Sequence, residues 1–281
     1  MITKKPITRR SFLKSIGAAV AALGVSANPN SLAFSEASAQ NTARTYAVGL
    51  RVKNGAFVFD PVAIRIAPGD TITWFQIADL HSTTAYHPTN QQHELRIPAK
   101  AKPWDSGILG TGGRGLTFSQ KFDVEGVYDY FCLPHEFLGM VGRFFVGKPD
   151  AGGPASKPIT QGIPQAGQKV LPSIDILNGS VGTLFTADAE LQVPTLRIFE
   201  KKNDLAKTAA EQLLIDFDAS KDKDGSLFKI LEQAGSAEKY RAALVQYRDL
   251  VKTNIVFADA LKKADDVKAI LEEVRKKLNK G

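Results

Sequence analysis

Cys132, His135 and Met140 stand in the order C-x2-H-x4-M, within Cys132-Leu133-Pro134-His135-Glu136-Phe137-Leu138-Gly139-Met140. A thiolate, an imidazole and a thioether form a soft to borderline donor set, which suits copper and not hard cations such as magnesium or calcium. A near-trigonal copper site needs one thiolate and two imidazoles, with a long, weak thioether bond on its axis. A tight loop between two strands can deliver the thiolate, one imidazole and the thioether to one point. The second imidazole must then come from elsewhere. His81 sits just past the strand-like run Thr71–Ile77 and is the candidate, although by spacing alone His87 and His93 compete with it.

Taken singly, each residue has a plainer reading. Cys132 could be a buried core thiol, Met140 core packing and His135 a loop histidine; it is the spacing, at a strand-to-strand loop, that joins them. Other cofactor patterns fail. Ser220-Lys221-Asp222-Lys223-Asp224-Gly225 has the glycine of a calcium loop, but Ser220 and Leu231 occupy its first and twelfth positions, and the twelfth needs a bidentate Glu. No C-x-x-C-H occurs, so covalent c-type haem is excluded. Four histidines and one cysteine are too few for a multicopper oxidase, a nitrite reductase or a binuclear copper centre. Two methionines, one of them Met1, form no cluster of the kind that copper chaperones favour.

The elements that must position this loop read as strands. Thr45–Val52 and Ala56–Ile66 flank Asn54-Gly55, a strong hairpin signal. After the turn Pro68-Gly69-Asp70 come Thr71–Ile77, Leu116–Val124, Val127–Cys132 and Val141–Val146. Short strands separated by Gly and Pro turns indicate an antiparallel sandwich or barrel. His87 to Gly115 has little strand pattern and reads as a long surface excursion.

Residues 149–172 are rich in Gly, Pro and Ala, a linker composition. Residues 173–281 are expected to be mainly helical, with three or four helices from about Leu196 onward. Tyr240, Leu244, Tyr247 and Val251 recur at helical spacing, as do Val267, Ile270, Leu271, Val274 and Leu278. Asp265 and Asp266 suggest an N-cap, and Arg275, Lys276 and Lys277 suit a helix C-terminus.

Residues 1–39 have the three parts of an export signal: a basic start, the apolar run Ile16–Val25 and the small-residue site Ala37-Ser38-Ala39. Thr8-Arg9-Arg10-Ser11-Phe12-Leu13-Lys14 resembles the twin-arginine signal, which places the mature chain in the periplasm or otherwise outside the cytoplasmic membrane. The run is shorter than the ~20 residues a spanning helix needs, so membrane association is expected only through an uncleaved signal. This segment carries five of the basic residues and one acid, leaving a formal charge of +3 from the chain's +7. No basic patch interleaved with aromatics remains, so nucleic acid is not an expected partner.

The loop Cys132–Met140 resembles that of plastocyanin, pseudoazurin and amicyanin, members of the cupredoxin family. Leu80-His81-Ser82-Thr83-Thr84-Ala85-Tyr86-His87-Pro88, Arg96-Ile97-Pro98 and Pro103-Trp104-Asp105-Ser106-Gly107 resemble its plastocyanin and halocyanin branch. The likeness covers about residues 45–148. It implies an all-β Greek-key cupredoxin sandwich, here with a smaller C-terminal α-helical region, and one-electron transfer without enzymatic turnover. It also implies a single mononuclear type 1 copper held by His81, Cys132, His135 and Met140, with Ser82 bracing the ligand loop. Redox protein partners are expected to dock near His135. The alternative is copper storage or delivery, or an adaptor whose helical tail binds a partner.

Overall fold

The computed structural model describes residues 43–148, 153–159, 162–253 and 255–279. The export signal lies outside these residues, as do parts of the Gly/Pro-rich stretch.

Thr45–Lys53 forms strand β1, and Ala56–Asp60 folds back on it as β2. The turn between them needs two left-handed residues, which Asn54 (φ 52°) and Gly55 (φ 78°) provide. The single strand expected over Ala56–Ile66 is broken at Pro61, and its second half, β3 (Ala63–Ile66), joins the other sheet. Proline has no N–H for a ladder, so a break there is its ordinary effect. The remaining strands are β4 (Thr71–Gln76), β5 (Thr84–Ala85), β6 (Thr117–Lys121), β7 (Gly126–Phe131) and β8 (Val141–Val146). They form two four-stranded sheets, β2-β1-β4-β6 and β3-β8-β7-β5. β1 pairs with β4, and β3 with β8, in parallel, so the sandwich is mixed and not purely antiparallel.

Trp74, Tyr130 and Phe144 fill the space between the sheets with Cys132 and Met140 at one end of the same core. The 87–115 stretch is not the surface excursion its composition suggests. Ile97, Trp104 and Leu109 turn inward and are buried in that core. Asp129 of β7 is buried between Arg96 (2.8 Å) and Arg143 (2.7 Å), and a charge so placed requires such partners. The same arginines donate to the carbonyls of Ala155, Lys157 and Pro172, tying the described parts of 149–172 onto the sandwich.

Among the described residues eight α-helical segments follow: α1 (Gln165–Gln168), α2 (Ile174–Asn178), α3 (Ser180–Leu191), α4 (Val193–Phe199), α5 (Asn203–Ala219), α6 (Leu227–Gln233), α7 (Ala237–Thr253) and α8 (Phe257–Leu278). The complete helices beyond Leu196 are α5 to α8, within the three or four expected there, while α1 to α4 precede or straddle that point. Tyr240, Leu244, Tyr247 and Val251 line the helical core, as do Val267, Ile270, Leu271 and Val274. Asp265 and Asp266 do not cap a helix: α8 begins eight residues earlier, at Phe257. The run Ala260, Ala264 and Val267 continues the buried stripe upstream of them. Ala189 of α3 reaches into the sandwich core, so the helices cover sheet surface.

Candidate metal centre

β7 ends at Phe131 and β8 begins at Val141. Between them the loop closes on itself through its backbone. The Cys132 N–H donates to the Met140 carbonyl, the His135 N–H to the Cys132 carbonyl and the Met140 N–H to the His135 carbonyl, each at 3.1 Å. A short 3-10 turn, Glu136–Leu138, ends on Gly139 at φ 91°. A Cβ there would also lie a tight 3.3 Å from the backbone of Ala166, so glycine is favoured on both counts.

His81 lies beyond β4, fully buried, with its N–H on Gln76 Oε1 and its carbonyl accepting from Leu109. Folding brings its Nδ1 to 3.7 Å from Cys132 Sγ, His135 Nδ1 to the same distance from that sulfur, and the two nitrogens to 3.2 Å from each other. A point equidistant from three atoms so spaced lies roughly 2 Å from each, the length of an imidazole–metal bond. Met140 is buried immediately before β8, its backbone joined to Cys132 and His135 by the bonds above. Among the described residues, these two histidines and Cys132 form the one group of three potential ligands.

Electrostatics fit a metal cation. Burial pushes the Cys132 thiol up to about 11. Burial, and secondarily the charge of a protonated His135, pushes His81 down to about 4. His135 is also lowered, by burial first. Both imidazoles are therefore neutral donors at neutral pH, and only the thiol would have to lose a proton, to solvent, when a cation binds. Ser82 makes two contacts to the ligand loop. Its N–H points at Cys132 Sγ from 3.4 Å, and its hydroxyl accepts from the Leu133 N–H at 2.7 Å, pinning the ligand loop. Pro134 has no N–H to offer the sulfur.

The structure does not bring His87 or His93 into the cluster. His87 Nδ1 bonds Thr89 within its own turn. His93 Nε2 lies 3.4 Å from Glu136 Oε2, while Tyr86 donates to Glu136 Oε1 at 2.7 Å. Glu136 is thus a buried carboxylate held next to a candidate ligand, and no motif announced it. Phe57 was also missed. Its ring stacks on His135 at 3.7 Å and 2°; the hairpin's two-residue alternation places it on the inner face, but nothing local says which ring it meets. Around His135 the surface is apolar, with Phe137 79%, Leu138 63% and Leu80 55% exposed.

A family model described as copper binding proteins, plastocyanin/azurin family, matches residues 46–147. The chloroplastic plastocyanin of Tetradesmus obliquus is 33% identical over 113 residues, covering 40% of this chain and 72% of that protein. The plastocyanin of Scenedesmus fuscus is 33% identical over 99 residues, covering 35% of this chain and 96% of that protein. Among solved structures, a pseudoazurin from Methylobacterium extorquens AM1 is similar at 26% identity over 44% of this chain and 91% of that one, with a TM-score of 0.35.

Proposed function

The chain belongs to the plastocyanin/azurin family of copper-binding electron-transfer proteins, and on that premise we propose that it is an exported carrier of single electrons. In this reading His81 Nδ1, Cys132 Sγ and His135 Nδ1 would hold one copper, with the Met140 thioether as a fourth, weaker donor. The observation that carries it is the convergence of one buried sulfur and two neutral imidazole nitrogens at bonding separation from a common point.

Copper supplies a one-electron couple at this position. Everything else is done by the chain. The closed backbone loop and the two Ser82 contacts keep the donors in place, so gain or loss of an electron calls for little movement of the ligands. His135, at the protein surface within its apolar collar, is the route by which electrons enter and leave. Phe137, Leu138 and Leu80 offer a surface for transient docking of redox protein partners. The protein is a carrier and transforms no substrate. Residues 1–39 direct it out of the cytoplasm by the twin-arginine route.

The test is the visible spectrum of the oxidised, copper-loaded protein. An intense thiolate-to-copper(II) band is expected, and Cys132→Ser should abolish it, because a hydroxyl offers no soft anionic donor at neutral pH. A band that survives Cys132→Ser, or copper uptake by the wild-type chain without one, sinks the reading.

A further inference from the structure

The hairpin β1–β2 has two faces that do different things. Pairing of Leu50 with Phe59, Val52 with Phe57, and Gly49 with Asp60 sets the alternation. It places Arg51, Lys53 and Asp60 on one face and Leu50, Phe57 and Phe59 on the other. On the inner face Phe59 packs on Tyr130 at 4.5 Å, and Phe57 lies flat on His135.

The outer face is gripped by α8. Asp265 takes Arg51 through two hydrogen bonds of 2.8 Å, Lys268 reaches Asp60 at 2.6 Å, and Glu272 pairs with Lys53. These helix residues are three and four apart, so they form one stripe facing the hairpin. Lys268 is 1% exposed and also joins Asp188 of α3 at 3.0 Å, which Arg275 meets at 3.4 Å. Gln192 donates to the Asp60 carbonyl at 2.6 Å. The outer contacts bracket Phe57 in register: its partner Val52 lies between Arg51 and Lys53, the residues held by Asp265 and Glu272.

We propose that α8 positions Phe57 against His135, so that Asp265, Lys268 and Glu272 are positioning residues for the copper centre. The helical region, which no metal chemistry otherwise explains, is on this view part of the frame that holds the surface ligand. A ring stacked at 3.7 Å restrains the imidazole to one orientation and keeps water from one of its faces. The inference rests on His135 being a copper ligand, as read above. Loss of a charge from a buried ionic group leaves its partner uncompensated, so loosening α8 frees the hairpin to shift.

The experiment uses the full chain and compares Phe57→Leu, the pair Asp265→Asn with Glu272→Gln, and all three changes together. Two quantities are read: the reduction potential of the copper-loaded protein, and the NMR cross-peak between the Phe57 and His135 rings in the copper-free protein. Asp265 and Glu272 are only partly buried, so their variants keep the fold; Lys268→Met is the stronger variant. The helix pair should weaken the cross-peak and shift the potential in the same direction as Phe57→Leu. In the Phe57→Leu background it should shift the potential no further, whereas a direct effect of the lost charges on copper would persist there. The proposal is overturned if the helix variants lower Tm but leave cross-peak and potential at wild-type values, if the shifts add, or if Phe57→Leu leaves the potential unchanged. Absence of the charge-transfer band in wild-type protein would instead overturn the metal site itself, with the copper-free cross-peak still reporting on α8.

Discussion

Burial drives Cys132 and His81 in opposite directions when no cation is bound, the thiol up to about 11 and the imidazole down to about 4. Both are thereby kept neutral, and both make copper-free stability depend on pH. For His81 the folded state binds its proton only near pH 4, whereas the unfolded chain binds one near the ordinary 6.5. Between these values the unfolded state holds more protons, so stability is intact above about pH 6.5 and falls as the pH drops towards 4. The loss should approach about 3 kcal/mol, measurable by denaturant melts of the copper-free chain, with His81→Asn flattening that limb. On the alkaline side the unfolded thiol ionises first, near 9, so stability should fall again towards 11. No acid-side loss that depends on His81 would mean that its imidazole is not held neutral by burial. Met140→Leu addresses the fourth proposed donor. Removing a weak axial thioether disfavours copper(II) more than copper(I), so copper should be retained and the reduction potential should rise. A lowered potential, or loss of the metal, would count against an axial role.

At the scale of elements, the ligand loop is braced from outside the sandwich. Gly139 lies so near α1 that a Cβ on it would meet the Ala166 backbone at 3.3 Å, and Ile163 is buried with Phe131 and Val141. Leu177 and Ala155 pack on Val127 and Phe145, and Ala189 sits in the main core. Composition suggests a linker at 149–172 and a sandwich able to stand alone; these contacts predict otherwise for a chain ending at Lys148. Exposing faces now covered by Ile163, Leu177 and Ala189, and freeing Arg96 and Arg143 from three carbonyls, should cost roughly 5 kcal/mol. That corresponds to a Tm lower by about 20–40 °C for a folded unit of roughly 100 residues. A shortened chain that melts at the temperature of the full one would show that the helices only decorate the sandwich.

For the whole molecule, export and internal organisation are separate matters. Among the described residues no helix is long and apolar enough to cross a membrane. The proposed route out of the cytoplasm rests on Arg9, Arg10, Phe12, Leu13 and Lys14, and replacing both arginines with lysine should leave precursor in the cytoplasm in fractionated cells. Normal export of that variant would point to the general secretory route. What the sequence determined alone is what local chemistry determines. A cysteine, a histidine and a methionine at C-x2-H-x4-M between two strand patterns specify a copper loop, and with it the family and the cofactor. Asn54-Gly55 specifies a hairpin, and the stripes through Tyr240 and Val267 specify helices, because these signals lie within a few residues of one another. What only the tertiary structure decided involves partners far apart in the chain. It chose His81, 51 residues from Cys132, over His87 and His93 as the imidazole that converges on the sulfur. It turned Ile97 and Trp104 inward and made Phe57 a cover for His135. It also set Lys268 between Asp60 and Asp188, 208 and 80 positions earlier. Charge and apolarity can be read residue by residue. Which charge neutralises which, and which ring lies on which, depends on how the strands and helices are brought together in space.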